Sequence, residues 1–246
     1  MKSMLAISAM LWSTHAVADA GTGTAPLLVR SHTLAELEVG ILMLPSAPIS
    51  VANQGGSTPF GTIGKGDATV QTGLHVLYRG WPDWAFGAGI MFAPRPTSDT
   101  NYQQLGGLSG LHRSHTRSYF ALGGEIRYFP YRSKWVEAWV GVVAGGVVVA
   151  DRFSNESATP VPTILGTPEA TVRTEGFTAS AQVGGDYLLT DHWILGLALR
   201  GGYWILPDAK PFRDEKACTA IGDCPTISGG ATAFEVGLTV GYRLYL

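Results

Sequence analysis

Apolar and polar residues alternate with a period of two along nearly the whole chain, and a convincing helical period of 3.6 occurs nowhere. Successive side chains of a strand point to opposite faces, so this alternation marks strands with one greasy side. Eight segments carry it. Around Ala35 to Leu44, Leu37, Val39, Ile41 and Met43 oppose Glu36, Glu38 and Gly40. From Ala68 to Arg79, Val70, Leu74, Val76 and Tyr78 oppose Gln71, Gly73, His75 and Arg79. Trp84 to Ala93 sets Trp84, Phe86, Ala88, Ile90 and Phe92 against Gly87, Gly89 and Met91, and Arg117 to Tyr128 sets Phe120, Leu122, Ile126 and Tyr128 against Ala121, Gly123, Glu125 and Arg127.

The fifth segment, Trp135 to Val149, has the least clean register, with Val136, Ala138, Val140 and Val142 opposite Glu137, Trp139, Gly141 and Gly145. The sixth, Gly176 to Leu189, sets Phe177, Ala179, Ala181, Val183 and Tyr187 against Ser180, Gln182, Gly184 and Asp186. In the seventh, Trp193, Leu195, Leu197, Leu199 and Tyr203 oppose Gly196, Ala198, Arg200 and Gly202. The eighth is the clearest: Phe234, Val236, Leu238, Val240, Tyr242, Leu244 and Leu246 oppose Glu235, Gly237, Thr239, Gly241, Arg243 and Tyr245.

The connections alternate in length. Long loops near 45–67, 94–116, 150–175 and 206–231 interleave with short turns at Gly80 to Asp83, Phe129 to Lys134 and Thr190 to His192. That asymmetry belongs to all-β, antiparallel, up-and-down barrels. With both termini on the short-turn side, the strand number is even: eight, or ten if a long loop hides a further hairpin.

The first twenty residues stand apart. Lys2, the apolar run Met4 to Trp12, and Ala16-Val17-Ala18 with Ala18-Asp19-Ala20 have the form of a secretory signal peptide. The expected organisation is therefore 1–20 signal and 21–246 one barrel domain, in an oxidising compartment. With 17 basic and 19 acidic residues the formal net charge is −2, which offers no field for nucleic acid.

Amphipathic strands have two solutions: the apolar face looks into a dry core, as in soluble barrels, or it looks into lipid. Three features favour lipid. All five lysines, Lys2, Lys65, Lys134, Lys210 and Lys216, lie in the signal, loops or turns, and the strands use Arg, whose rigid fork suits packed ion pairs. The polar face is rich in Gly and Ala, which leaves room for large charged side chains inside a narrow barrel. Aromatics sit at both edges of the apolar face. Tyr78, Trp84, Tyr128, Trp135, Tyr187, Trp193 and Tyr242 mark the short-turn edge, and Phe92, Phe120, Phe177, Tyr203 and Phe234 the other. At about 3.3 Å per residue and a tilt near 40°, Phe234 to Tyr242 spans roughly 20 Å, close to the apolar band of about 25 Å.

The signal-like start, the alternation and the terminal Phe234 to Leu246 strand resemble the small Gram-negative outer-membrane β-barrels, the porin-family, OmpA-like and OmpX-like proteins. The resemblance implies an eight-stranded transmembrane barrel in the outer membrane and a C-terminal strand read by the barrel-assembly machinery. That strand usually ends in Phe or Trp in the family, and here the last residue is Leu246. Membrane lipid and lipopolysaccharide are the implied surroundings, and no activity follows from the fold.

The polar faces place Glu36, Glu38, Glu125, Glu137, Asp186 and Glu235 in the lumen with Arg79, Arg127, Arg200 and Arg243, and His75 nearby. Ten charges in a narrow interior are expected to pair, because burying a lone ion costs several kcal/mol. The network reads either as a plug that rigidifies the barrel or as an ion-selective constriction. His112, Ser114, His115 and Glu125 give a weaker enzymatic reading, since outer-membrane lipid A deacylases resemble this chain in using a His-x-Ser pair with a carboxylate. Here that pair falls in a long loop, away from Glu125. No His-x-Glu-x-x-His or Cys-rich metal spacing occurs, so no metal or cofactor is expected. Cys218 and Cys224 are expected to form a disulfide closing a small loop. Arg95, Arg113 and Arg117, set against Asp99, read either as ordinary surface charge, the favoured reading, or as contacts for lipopolysaccharide phosphates. The expected function is non-enzymatic: a structural or surface-interaction barrel acting through long extracellular loops, with a plugged lumen. A narrow porin for small solutes is the alternative, a lipid A-modifying enzyme the third; sequence names no extracellular ligand.

Overall fold

The computed structural model describes residues 30–51, 61–95, 111–157, 169–207 and 227–245. Eight strands follow in chain order: β1 (His32–Val51), β2 (Gly61–Arg79), β3 (Trp84–Arg95), β4 (Leu111–Arg132), β5 (Val136–Ser157), β6 (Glu169–Leu188), β7 (Trp193–Ile205) and β8 (Gly230–Tyr245). Each pairs antiparallel with its sequence neighbours, and β1 closes on β8 from His32↔Tyr245 to Met43↔Phe234, giving a closed barrel of eight. Among the described residues the barrel takes in no ninth or tenth strand.

Outward positions are those of the alternating apolar face. Leu37, Leu122, Val142, Leu197, Leu238 and their neighbours are exposed on the outer wall, and Glu36, Glu125, Arg127 and Arg200 are buried within. The fifth strand keeps its expected register, with Val140 and Val142 outside and Glu137 and Trp139 inside. The seven short-turn aromatics lie in one belt on the outer surface, Tyr242 partly covered by His192 and Trp193. The turns are held locally. Thr190 Oγ1 accepts from the backbone N–H of His192 at 3.2 Å and of Trp193 at 2.9 Å, and Ser133 Oγ accepts from the Val136 N–H at 3.0 Å.

The strands are longer than the alternation suggests. Residues 45–51, 61–67, 111–116, 150–157 and 169–175, expected as loop, continue the ladders. At 22 residues, β4 and β5 are about twice the 9–11 residues that cross a bilayer. Two walls therefore rise past the apolar band, one from β1 and β2 and one from β4, β5 and β6, while β3, β7 and β8 stop near it. The signals that read as loop are polarity and proline, and both are compatible with a strand in water. Pro45 and Pro48 lie beyond Met43, where the ladder to β8 ends, and flank a register shift against β2, so their missing N–H groups fall at an edge or bulge.

Candidate functional site

Every strand but β3 sends at least one inward polar side chain into the middle of the barrel, where the cross-barrel distances are short enough for direct contact. Arg127 on β4 grips Glu36 on β1 through Nη1 and Nη2, at 2.9 and 2.6 Å, and donates through Nε to Glu125 at 2.6 Å. Its guanidinium lies 4.0 Å over the Trp139 ring. On the next level, Arg200 on β7 grips Glu38 on β1 through both Nη atoms at 2.6 Å, and its Nε donates to Gln182 at 2.9 Å. Gln182 donates in turn to Glu125 at 2.6 Å. His75 bridges the levels, with ring nitrogens 2.8 Å from Glu125 and 3.3 Å from Glu38. Gln71 donates to Glu38 and Glu235, both at 3.1 Å. Guanidinium forks on carboxylates at these distances are the strong, geometrically selective kind of ion pair.

A second cluster closes the short-turn end. Arg79 donates to Glu137 at 2.9 Å and to the Pro82 carbonyl at 2.6 and 3.0 Å, and stacks 3.8 Å from the Phe129 ring. Arg243 shares the same Glu137 oxygen at 2.6 Å. The structure thus brings ten of the eleven residues of the expected lumen network into two groups, with Glu235 the least buried, and the eleventh, Asp186, stands apart from both.

Pairing is not complete. Asp186 is buried between the two clusters, and neither of its carboxylate oxygens has a hydrogen-bond partner among the described residues; the nearby Trp139 Nε1 is likewise unmatched. Arg127, the guanidinium whose charge acts on Asp186, is already held by Glu36 and Glu125.

The lumen also contains a layer absent from the sequence expectation. Above the network, towards the long loops, Leu42, Leu44, Tyr119, Val147, Val149, Trp204 and Ile227 pack into one buried apolar cluster. Leu34, Leu77, Phe129, Trp139 and Ile194 form another at the short-turn end. Parity along each strand would have found these: Leu42 and Leu44 continue the inward positions of Glu36, Glu38 and Gly40. Between the network and the upper layer, a void of about 50 Å³ bordered by Glu38, His75, Arg200 and Trp204 has room for a few waters.

Charge inside and apolar surface outside is the inverse of a water-soluble barrel, and among the described residues no helix is long and apolar enough to cross a membrane. A closed, even-numbered antiparallel barrel with a lipid-compatible band and short turns at one end meets the requirement that every backbone group be satisfied inside a bilayer. The chain is a transmembrane β-barrel of the outer-membrane type. No family model and no curated protein matches the sequence. Among solved structures, Neisserial surface protein A is similar at 12% identity and a TM-score of 0.44, over 87% of this chain and 97% of that one. Ail of Yersinia pestis, solved with the heparin analogue sucrose octasulfate, matches at 10% identity and 0.41 over 87% and 99%. OprG of Pseudomonas aeruginosa matches at 11% and 0.42 over 88% and 98%. Likeness at this level carries none of those proteins' roles to this barrel.

Other candidates separate. His112, Ser114 and His115 are on β4 and not in a loop, opposite Glu156, Ser154 and Phe153 of β5, while Glu125 lies far along the same strand. Arg117 is also not a surface residue: it is buried, donates to Asp151 at 2.6 Å, and lies beside the hydrogen bond from Tyr119 to Asp67. It is therefore not presented to lipopolysaccharide. The expected signal peptide, Cys218, Cys224 and the last residue lie outside the described residues, as do the side chains of Arg95, Arg113, His112, Ser114 and His115.

Proposed function

We propose that this protein is a non-enzymatic resident of the Gram-negative outer membrane whose barrel is a closed scaffold for surface interaction. The observation that carries the reading is the filled cross-section: two ion-pair clusters and an apolar layer occupy successive levels of the lumen. An eight-stranded barrel is just wide enough for such filling. The walls of β1–β2 and β4–β6 carry the sheet past the bilayer, as a surface-interaction role requires, and the outer band meets lipid and lipopolysaccharide acyl chains. Insertion proceeds through the barrel-assembly machinery acting on β8.

Planar-bilayer recording of purified protein tests this reading. A closed scaffold gives no discrete conductance steps. Reproducible ion-selective steps would replace it with the narrow porin. Release of acyl chains from lipid A, abolished by Ser114→Ala, would replace it with the enzyme.

A further inference from the structure

At the short-turn end the lumen opens into a cavity of about 740 Å³, bordered by Arg30, His32, Lys134, Glu137, Asp191 and Arg243 among others. Among the described residues its charges do not balance. Arg30, Lys134 and Arg243 face Glu137 and Asp191, and Glu137 is already engaged by Arg79, which is itself anchored on the Pro82 carbonyl. Arg243 is the surplus cation. It donates through Nη2 to Glu137, and its buried Nε has no acceptor among the described residues. His32, also buried, donates from Nδ1 to the Arg30 carbonyl at 2.8 Å and leaves Nε2 unmatched among the described residues. A surplus guanidinium in a partly enclosed mouth, with two more cations at the rim, is how proteins hold oxyanions. The interior beyond it carries the opposite sign, with Glu36, Glu38, Glu125, Asp186 and Glu235 against Arg127, Arg200 and His75. An anion is therefore attracted to the mouth and repelled from the deeper lumen.

We propose that this mouth is a binding site for an oxyanion group, phosphate or carboxylate, with Arg243 as its inner contact and Arg30 and Lys134 as its rim. The cavity is larger than a bare phosphate and within the range of small-molecule sites, so the group is carried on a larger molecule. His192 and Tyr245, in edge contact at 5.3 Å between ring centroids, supply an aromatic wall for the remainder. That the ligand comes from the periplasm rests on the outer-membrane reading; the binding itself does not.

The test uses full-length barrel folded in uncharged maltoside micelles. Sodium phosphate and sodium acetate are titrated against sodium chloride at matched ionic strength, while the Arg243 Nε–H and the His32 ring are followed by NMR. The expected result is a saturable shift with phosphate or acetate that chloride does not produce. In the Arg30→Gln/Lys134→Gln double variant, whose changes are confined to the rim, affinity should fall by about tenfold, the scale of one charge-assisted hydrogen bond. Arg243→Gln should abolish the shift of His32, with retained heat-modifiable gel migration showing that it still folds. Should Arg243→Gln fail to fold, the rim variant decides alone. Nanodiscs of phosphatidylglycerol and of phosphatidylcholine distinguish a lipid phosphate from a soluble one: the same shift in lipid without added salt assigns the headgroup, and its absence there assigns the soluble anion. Equal responses to all three salts, or a rim variant that binds like the wild type, would overturn the site.

Discussion

Arg200 and Glu38 lie 162 positions apart in sequence and meet fork to fork across the lumen, two nitrogens to two oxygens at 2.6 Å each. Both are almost fully buried, so neither charge reaches bulk solvent when its partner is removed. Breaking such a pair from one side leaves an uncompensated buried ion, at a cost of about 3–5 kcal/mol, whereas replacing both partners with apolar groups can be close to neutral. Glu38→Ala should therefore destabilise the barrel by about 3 kcal/mol or more, and Glu38→Leu/Arg200→Met should recover most of that loss. Urea unfolding in lipid vesicles measures both. A double variant as unstable as the worse single one would mean that the pair is not the unit of stability here.

The outer wall gives a prediction of opposite character. Leu197 and Leu238 face one another across β7 and β8, midway between Phe234 and Tyr242. Arginine at either position should cost about 2–4 kcal/mol, and arginine in place of Phe234, at the edge of the band, about 0–1 kcal/mol. A flat profile along β8 would remove the assignment of this face to lipid.

Two glycines on either side of the wall should behave differently. A methyl group at Gly145 would overlap the carbonyl oxygen of Leu122 and the Cα of Gly123, both backbone, whereas at Gly124 the nearest atom is the Gly87 carbonyl oxygen, 4.0 Å away. Gly145→Ala must spread β4 from β5 and should cost about 1–3 kcal/mol. Gly124→Ala should be neutral or slightly stabilising, because it reduces the freedom of the unfolded chain. The difference between their unfolding midpoints is the readout, and equal midpoints would contradict the close approach of β4 and β5.

The contrast between wall and lumen explains what the sequence makes legible. Which face a residue takes is a local property, repeated every second position, and even the blurred fifth strand shows it through Glu137 and Trp139. Which inward residue meets which depends on the stagger of all eight strands. Nothing near Arg200 in the chain points to Glu38, and nothing near Gln182 points to its place between Arg200 and Glu125. Strand ends are hidden for another reason. Past the bilayer the outer face of β4 and β5 meets water, the apolar alternation stops, and a continuing ladder reads as loop. The apolar layer of Leu42, Val149 and Trp204 escapes notice because an inward leucine looks like a lapse in the pattern, although its parity is intact.

Burial, and not distance, should decide the value of an ion pair in this barrel, and β4 offers the comparison within one strand. Arg127 meets Glu36 at 2.6 Å with both side chains essentially inaccessible, and Arg132 meets Asp83 at the same 2.6 Å with side chains 27% and 48% exposed. In the exposed pair, water solvates whichever partner remains, and salt screens the attraction. Arg132→Ala should therefore cost less than about 1 kcal/mol, and that small cost should vanish at high salt. Arg127→Ala strands Glu36, leaves Glu125 with only His75 and Gln182, and removes the cation over Trp139, so its cost should reach about 3–5 kcal/mol and change little with ionic strength. Unfolding titrations of the two variants at low and high sodium chloride test the argument, and a salt-sensitive Arg127 contribution would show that water reaches the network.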